Sequence, residues 1–202
     1  MKAPPLSDLL ASAYFNRFGH CVPDPARHAE MDATLDRIFA HQDRYEKVAN
    51  KLPAPPWFVV ALIHYREADL DFTTHLFNGD PLARPTVNEP KGQPPGNGPF
   101  TWEESAWAAL RWDKMDKLVY SNTAQIAWAL ENYNGWGYFE RHTVSPYLWA
   151  GSDQYTTGKF VSDGHYSPTF VDQQLGAMTL LRHAINRGRI ALRGTQVLPH
   201  PL

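Results

Sequence analysis

Residues 55–80, PPWFVVALIHYREADLDFTTHLFNGD, decide how this chain is read. Pro55 and Pro56 suit the first turn of a helix, because proline presets the backbone angle there and the amide it lacks has no intrahelical partner. From Trp57 to Ile63 no residue is polar. A helix without a polar face belongs in the middle of a domain. Glu67 is the first acid after this run, one turn past Ile63 and on its face. Desolvation by Val60 and Ile63 and the negative end of the helix dipole both favour its protonated form. That is the state a general acid needs near neutral pH. Arg66 or a protonated His64 would act in the opposite sense, and a solvated, ion-paired helix end is the plainer alternative.

Beyond the helix, Leu70, Phe72, Thr74 and Leu76 alternate with Asp71, Thr73 and His75, the pattern of a short strand. Asn78-Gly79-Asp80 has the chemistry of a turn that closes a hairpin or an irregular β-loop. Asp80 is thereby expected on a wet loop that folds back towards Glu67.

The whole chain has 202 residues, 43% hydrophobic and 20% charged, with a net charge of −2. This is an ordinary globular composition, sufficient for one sizeable core. No basic block is present, which argues against nucleic acid as a partner. Cys21 is the only cysteine, so an intrachain disulfide and a thiolate metal cluster are both excluded. Asp8, Asn16 and Arg17 interrupt the apolar core that a signal peptide requires, and no stretch reaches the length of a membrane span. The expectation is a monomer made in the cytoplasm, without cofactor and without membrane insertion. Aromatic residues make up 13%, enough to line a cleft as well as a core.

In chain order, Leu6 to Phe18 reads as a short helix stopped by Gly19, and Asp24-Pro25 as the start of the next. Met31, Leu35, Ile38, Gln42, Tyr45 and Ala49 share one face of a long helix with a bend expected near His41-Gln42. Residues 88–100 are a Pro/Gly-rich loop inside one domain. Thr101 and Glu104 form a capping box opening a helix to about Trp112. Asn122 opens another that runs to Tyr133. A strand pair is expected around Lys159 to Val161. Ser167-Pro168 opens a last helix with Val171, Leu175, Met178, Leu181 and Ile185 inward, stopped by Gly188, and a tail fills residues 188–202.

Taken in order, several of these segments resemble the lysozyme superfamily, in the branch of bacterial and phage proteins related to lytic transglycosylases. The carriers are Val60 to Glu67 leading into Asn78-Gly79-Asp80-Pro81-Leu82, then Pro99 to Ala106, Glu131 to Tyr138, and Ser145-Pro146-Tyr147-Leu148-Trp149. The resemblance spans about residues 10–186. It implies a mainly α, lysozyme-like α+β fold, a helical bundle around a buried central helix with a small β-hairpin beside the cleft, in one catalytic domain over residues 1–202. It also implies an endolysin-like muramidase cleaving the β-1,4 bond between N-acetylmuramic acid and N-acetylglucosamine. Peptidoglycan glycan strands would be the partner, reached in the cell wall after holin-type release or particle delivery.

On this reading Glu67 is the general acid. A hydrolase needs a second carboxylate, for which Asp80 is the choice, with Asp69 and Asp71 as competitors. Tyr133 and Asn134 match the family's Tyr-Asn-Gly motif and would touch substrate. Asn78, Tyr138 and Tyr155 are further candidates for substrate binding, and Trp102, Trp136 and Trp149 lie near loops where a cleft would form. Trp57, Trp107 and Trp128 sit in helical apolar patterns and are assigned to the core. Many transglycosylases carry serine after the glutamate, where this chain has Ala68, so hydrolysis and transglycosylation to 1,6-anhydro products both stay open. Two other classes are weighed: a metal-dependent amidase or peptidase using His64, Glu67 and His75, and a noncatalytic glycan-binding module.

Overall fold

A computed structural model describes residues 3–162 and 164–192; the expected tail beyond 192 lies outside the described residues. Ser7 accepts the amide of Leu10 and opens α1 (Asp8–His20), which runs past Gly19 to a cap at Cys21. Asp24 accepts the amide of Ala26 and, with Pro25, makes a 3-10 turn leading into α2 (His28–Phe39). The expected bend is a break at Ala40–His41, after which α3 (Gln42–Ala49) begins. Pro56 stands at the cap of α4 (Trp57–Ala68), outside its first turn. The capping box of Thr101 and Glu104 is formed and opens α5 (Trp102–Trp112). Asn122 accepts the amide of Gln125 and opens α6 (Thr123–Asn134). The short helices α7 (Gly137–Glu140) and α8 (Pro146–Trp149) follow, then β1 (Lys159–Ser162), β2 (His165–Ser167) and α9 (Ala177–Asn186).

The fold is mainly α with a small antiparallel hairpin, as expected. The hairpin pairs Lys159 with Ser167 and Phe160 with Tyr166, and is irregular between Phe160 and Ser162. The strand expected at Leu70–Leu76 is not formed, and only an isolated bridge joins Thr74 to Pro81. Two consecutive left-handed residues, Asp69 and Leu70, turn the chain as it leaves α4. Asp71 then accepts from the amide and hydroxyl of Thr73, so the segment is held as turns. Side-chain hydrogen bonds have here displaced the extended ladder that alternation alone suggests.

The last helix also differs from its expected start. Ser167 ends β2, and the next residues are tied sideways: Asp172 receives Lys159 at 2.8 Å and donates its amide to the Tyr155 hydroxyl. Val171 is consequently exposed, whereas Leu175, Met178 and Leu181 are fully buried. Gly176 stands at the start of α9, where any larger residue is excluded because a β-carbon would overlap the Leu148 carbonyl.

The chain divides into two compact units, one of residues up to Leu35 and from Ser121 onward, the other Asp36–Tyr120. In the Asp36–Tyr120 unit α3 packs against both α4 and α5. Seven consecutive residues of α4, Val59 to Tyr65, are buried. Val59, Val60, Leu62 and Ile63 each contribute about 1.5–3 kcal/mol to folding. Trp102 and Phe72 stack around His64 and Tyr45, and the Arg44 guanidinium lies 3.9 Å over the Phe72 ring. In the other unit α1 packs on α6, and α8 on α6 and α9.

Candidate functional site

The expectation for Glu67 holds in position and fails in burial. It lies in the last turn of α4, directly past the buried run, but it is exposed. Packing over α4 ends at Tyr65, so Val60 and Ile63 are covered while the next turn emerges into solvent. The desolvation expected to hold the proton of Glu67 is therefore missing. His64 is not its cationic neighbour either. Its Nδ1 meets the Tyr45 hydroxyl and its Nε2 the Asp71 carbonyl, both at 3.1 Å, and burial lowers its pKa to about 4. His64 is neutral at physiological pH.

Asp80 is ionised, as expected, but it is not wet. Its carboxylate accepts the amides of Asn88 and Val87 at 2.9 and 2.8 Å and the side-chain amides of Asn88 and Asn78 at 2.7 and 3.1 Å. These bonds, the Asn88 amide first, hold its pKa below the usual carboxylate range. Asn78 also donates to the carbonyls of Asn88 and Glu89. Both residues staple the loop after α4 to the Pro/Gly-rich segment. The competitors have local tasks too: Asp69 ends α4 and pairs with Arg37, and Asp71 holds Thr73.

The metal reading loses its ligands. His75 shares Nδ1 with the Ser105 hydroxyl and Nε2 with the Arg84 carbonyl, each at 2.8 Å, and His64 is engaged as above. Among the described residues no group of three His, Cys, Asp or Glu is arranged to hold a metal ion. Cys21 is buried, and burial pushes its thiol up to about 11, which makes it a poor nucleophile.

Tyr133, Asn134, Tyr138 and Tyr155 belong to the other unit. Tyr133 and Asn134 are partly exposed in the last turn of α6. Tyr138 and Tyr155 are buried with occupied hydroxyls. That of Tyr138 accepts the Phe160 amide; that of Tyr155 donates towards the carbonyls of Gly158 and Phe170 and accepts from Asp172. They brace the hairpin and the approach to α9, which corrects their assignment to substrate contact. The tryptophans are inverted with respect to expectation. Trp102, Trp136 and Trp149 are buried to 5% exposure or less, whereas Trp57, Trp107 and Trp128 are partly exposed.

One acid was missed. Glu131 in α6 is 3% exposed, and its Oε1 has no hydrogen-bond partner. Burial pushes its pKa up to about 8, against the Ser145 hydroxyl beside it, which favours the carboxylate. Ser145 is itself buried, and its Oγ lacks a well-placed partner. Both line a cavity of about 260 Å³ with Tyr14, Arg17, Phe139 and Trp149. The signal that points to Glu67 exists here also: Ile126, Ala127, Ala129 and Leu130 run into an acid one turn past Ala127.

No protein-family model, no curated protein and no solved structure matches the chain.

Proposed function

We propose that the protein is a peptidoglycan glycosidase in which Glu67 protonates the oxygen of the β-1,4 bond between N-acetylmuramic acid and N-acetylglucosamine. The observation that carries the reading is an accessible carboxyl group on the end of a helix buried over seven residues. Its backbone is fixed by that buried helix, and the residue is open to a polymer that cannot enter a closed pocket. The ordered motifs that resemble the lysozyme superfamily supply the substrate class. A sugar ring laid over Glu67 would remove the water that surrounds it and raise its proton affinity at the moment of reaction.

Protonation breaks the bond between C1 and the leaving oxygen and leaves an oxocarbenium-like C1. In the muramidase reaction water adds to C1 and its proton passes to a carboxylate. In the transglycosylase reaction the sugar's own 6-hydroxyl adds, and its proton returns to Glu67. The four hydrogen bonds on Asp80 favour the second course, because a carboxylate bound within its loop is a poor base for water. As an endolysin-like enzyme, it would reach the cell wall after holin-type release or within a particle.

Mass spectrometry of purified peptidoglycan digested by wild type and Glu67→Gln tests this. Reducing ends made only by wild type identify a muramidase, and 1,6-anhydro ends a transglycosylase. Equal cutting by both proteins, or none by wild type, removes the glycosidase reading.

A further inference from the structure

We propose that the cavity between α1, α6 and the loop leading into α8 binds a small acylated amino acid, with its amide held by Glu131 and Ser145 and its carboxylate by Arg17.

The inner wall supplies two neighbouring polar groups that the rest of the protein leaves without a well-formed hydrogen bond. Oε1 of Glu131 and Oγ of Ser145 each lack a well-placed partner in residues 3% exposed, and the Ser145 hydroxyl beside the Glu131 carboxyl is the one group that acts on it. A buried polar atom left unpaired costs about 1–3 kcal/mol, so a site that keeps two of them in one cavity is built for something that pairs them. Near neutral pH Glu131 is a neutral acid, because burial raises its pKa to about 8. A neutral acid offers one O–H donor beside an acceptor, and a serine hydroxyl can accept. An amide matches this pair: its carbonyl accepts from Glu131 and its N–H donates to Ser145. A metal cation does not match, since one neutral carboxyl group is a poor ligand and no carboxylate besides Glu131 lines the cavity.

The outer part has a different character. Phe139 is 40% exposed and His142 is also exposed, so both mark the open side of the cavity. Arg17 is half-buried, 6.0 Å over the Trp149 ring, and donates Nη1 to the Gln154 carbonyl at 3.4 Å. Its guanidinium has five donors, so it can take a carboxylate in addition. Trp149, Phe139 and Leu10 provide apolar wall for a small side chain. A volume of about 260 Å³ is below that of pockets for drug-sized ligands, which fits a fragment carrying one amide and one carboxylate. The chemistry is that of the last residue of a peptide or of a free acyl amino acid.

The test uses the full chain and N-acetylalanine, each enantiomer separately, titrated at pH 6 by calorimetry and by NMR. Saturable 1:1 binding is expected, with shifts at Tyr14, Glu131, Ser145 and Trp149. N-acetylalaninamide, which lacks the carboxylate, and free alanine, which lacks the acyl group, are each expected to bind at least about tenfold more weakly. Arg17→Gln should abolish the difference between the acid and its amide, which a merely structural Arg17 would not do. Wild-type affinity should fall as pH rises through about 8, as Glu131 ionises, while Glu131→Gln keeps a donor and should bind without that loss. The other ionisable groups facing the cavity are Tyr14 and Arg17 of α1 and His142, and none of them changes in Glu131→Gln. Absence of saturable binding at millimolar concentration overturns the proposal. So does equal binding of free alanine, or an acid-over-amide preference that survives Arg17→Gln.

Discussion

Two apolar helices in this protein carry a glutamate near their C-terminal ends, each one turn past an apolar residue of the same face, and the two glutamates have opposite environments. At the end of α4 Glu67 is exposed. At the end of α6 Glu131 is 3% exposed at the wall of a cavity. Both lie at the negative end of a helix dipole, so the dipole does not separate them. What separates them is the cover. After Tyr65 the chain turns away through Asp69 and Leu70, whereas α6 is packed by both α1 and α8, and Tyr14, Arg17 and Trp149 surround the cavity at Glu131. Helical spacing determines the face on which an acid lies; the depth of that face depends on segments distant in sequence.

The comparison breaks most sharply in activity. Glu67→Gln is expected to lower peptidoglycan cleavage by about a thousandfold, the usual range for a lost general acid, while Glu131→Gln leaves it within about tenfold. Product formation followed by mass spectrometry checks both. If Glu131→Gln is the inactive variant, the two roles are exchanged.

Next in size is a pH effect on stability at Glu131. Its proton is kept in the folded state up to about pH 8 and lost in the unfolded chain above about 4.5. The stabilisation is therefore complete below the unfolded pKa and is lost as pH rises from about 4.5 to about 8. On the order of 5 kcal/mol is at stake, at about 1.4 kcal/mol per unit. Amide exchange in α6 should slow in Glu131→Gln relative to wild type at pH 8, and the two should converge near pH 5.

His64 has the opposite sign and a smaller size. It stays neutral in the folded Asp36–Tyr120 unit down to about pH 4, because burial opposes its charge. The unfolded chain takes up the proton below about 6.5. Stability of that unit should thus fall as pH drops from about 6.5 to about 4, by at most about 3 kcal/mol, seen in amide exchange of α4. A flat response between those values would mean that the ring is hydrated in solution.

The smallest expected effect is that of Asp80. If it only staples its loop, Asp80→Asn lowers the melting temperature and changes cleavage by less than about tenfold. A loss comparable with that of Glu67→Gln would make it the second carboxylate after all and favour hydrolysis over the anhydro reaction.

The helical starts were legible wherever a side chain caps its own helix. Asp24, Thr101 and Asn122 form the bonds that their spacing predicts, because donor and acceptor lie within a few residues of each other. Alternation at Leu70–Leu76 misled because Asp71 and Thr73 bond locally and leave no strand. Ser167-Pro168 misled because Lys159 and Tyr155, distant in sequence, hold Asp172 and delay α9 to Gly176. For the candidate site, Glu67 was legible as a position, while the occupied hydroxyls of Tyr138 and Tyr155 and the bound state of Asp80 were not.

By itself, then, the sequence determined the mainly helical class, most helix boundaries, the order of the motifs and the face on which each acid stands. These follow from hydrogen bonds and periodicities within a turn or two of chain. Only the tertiary structure decided that Glu67 meets solvent, that Glu131 keeps its proton in a cavity, and that Trp102, Trp136 and Trp149 are core. Desolvation is set by every atom packed around a group, and most of those atoms come from elsewhere in the chain.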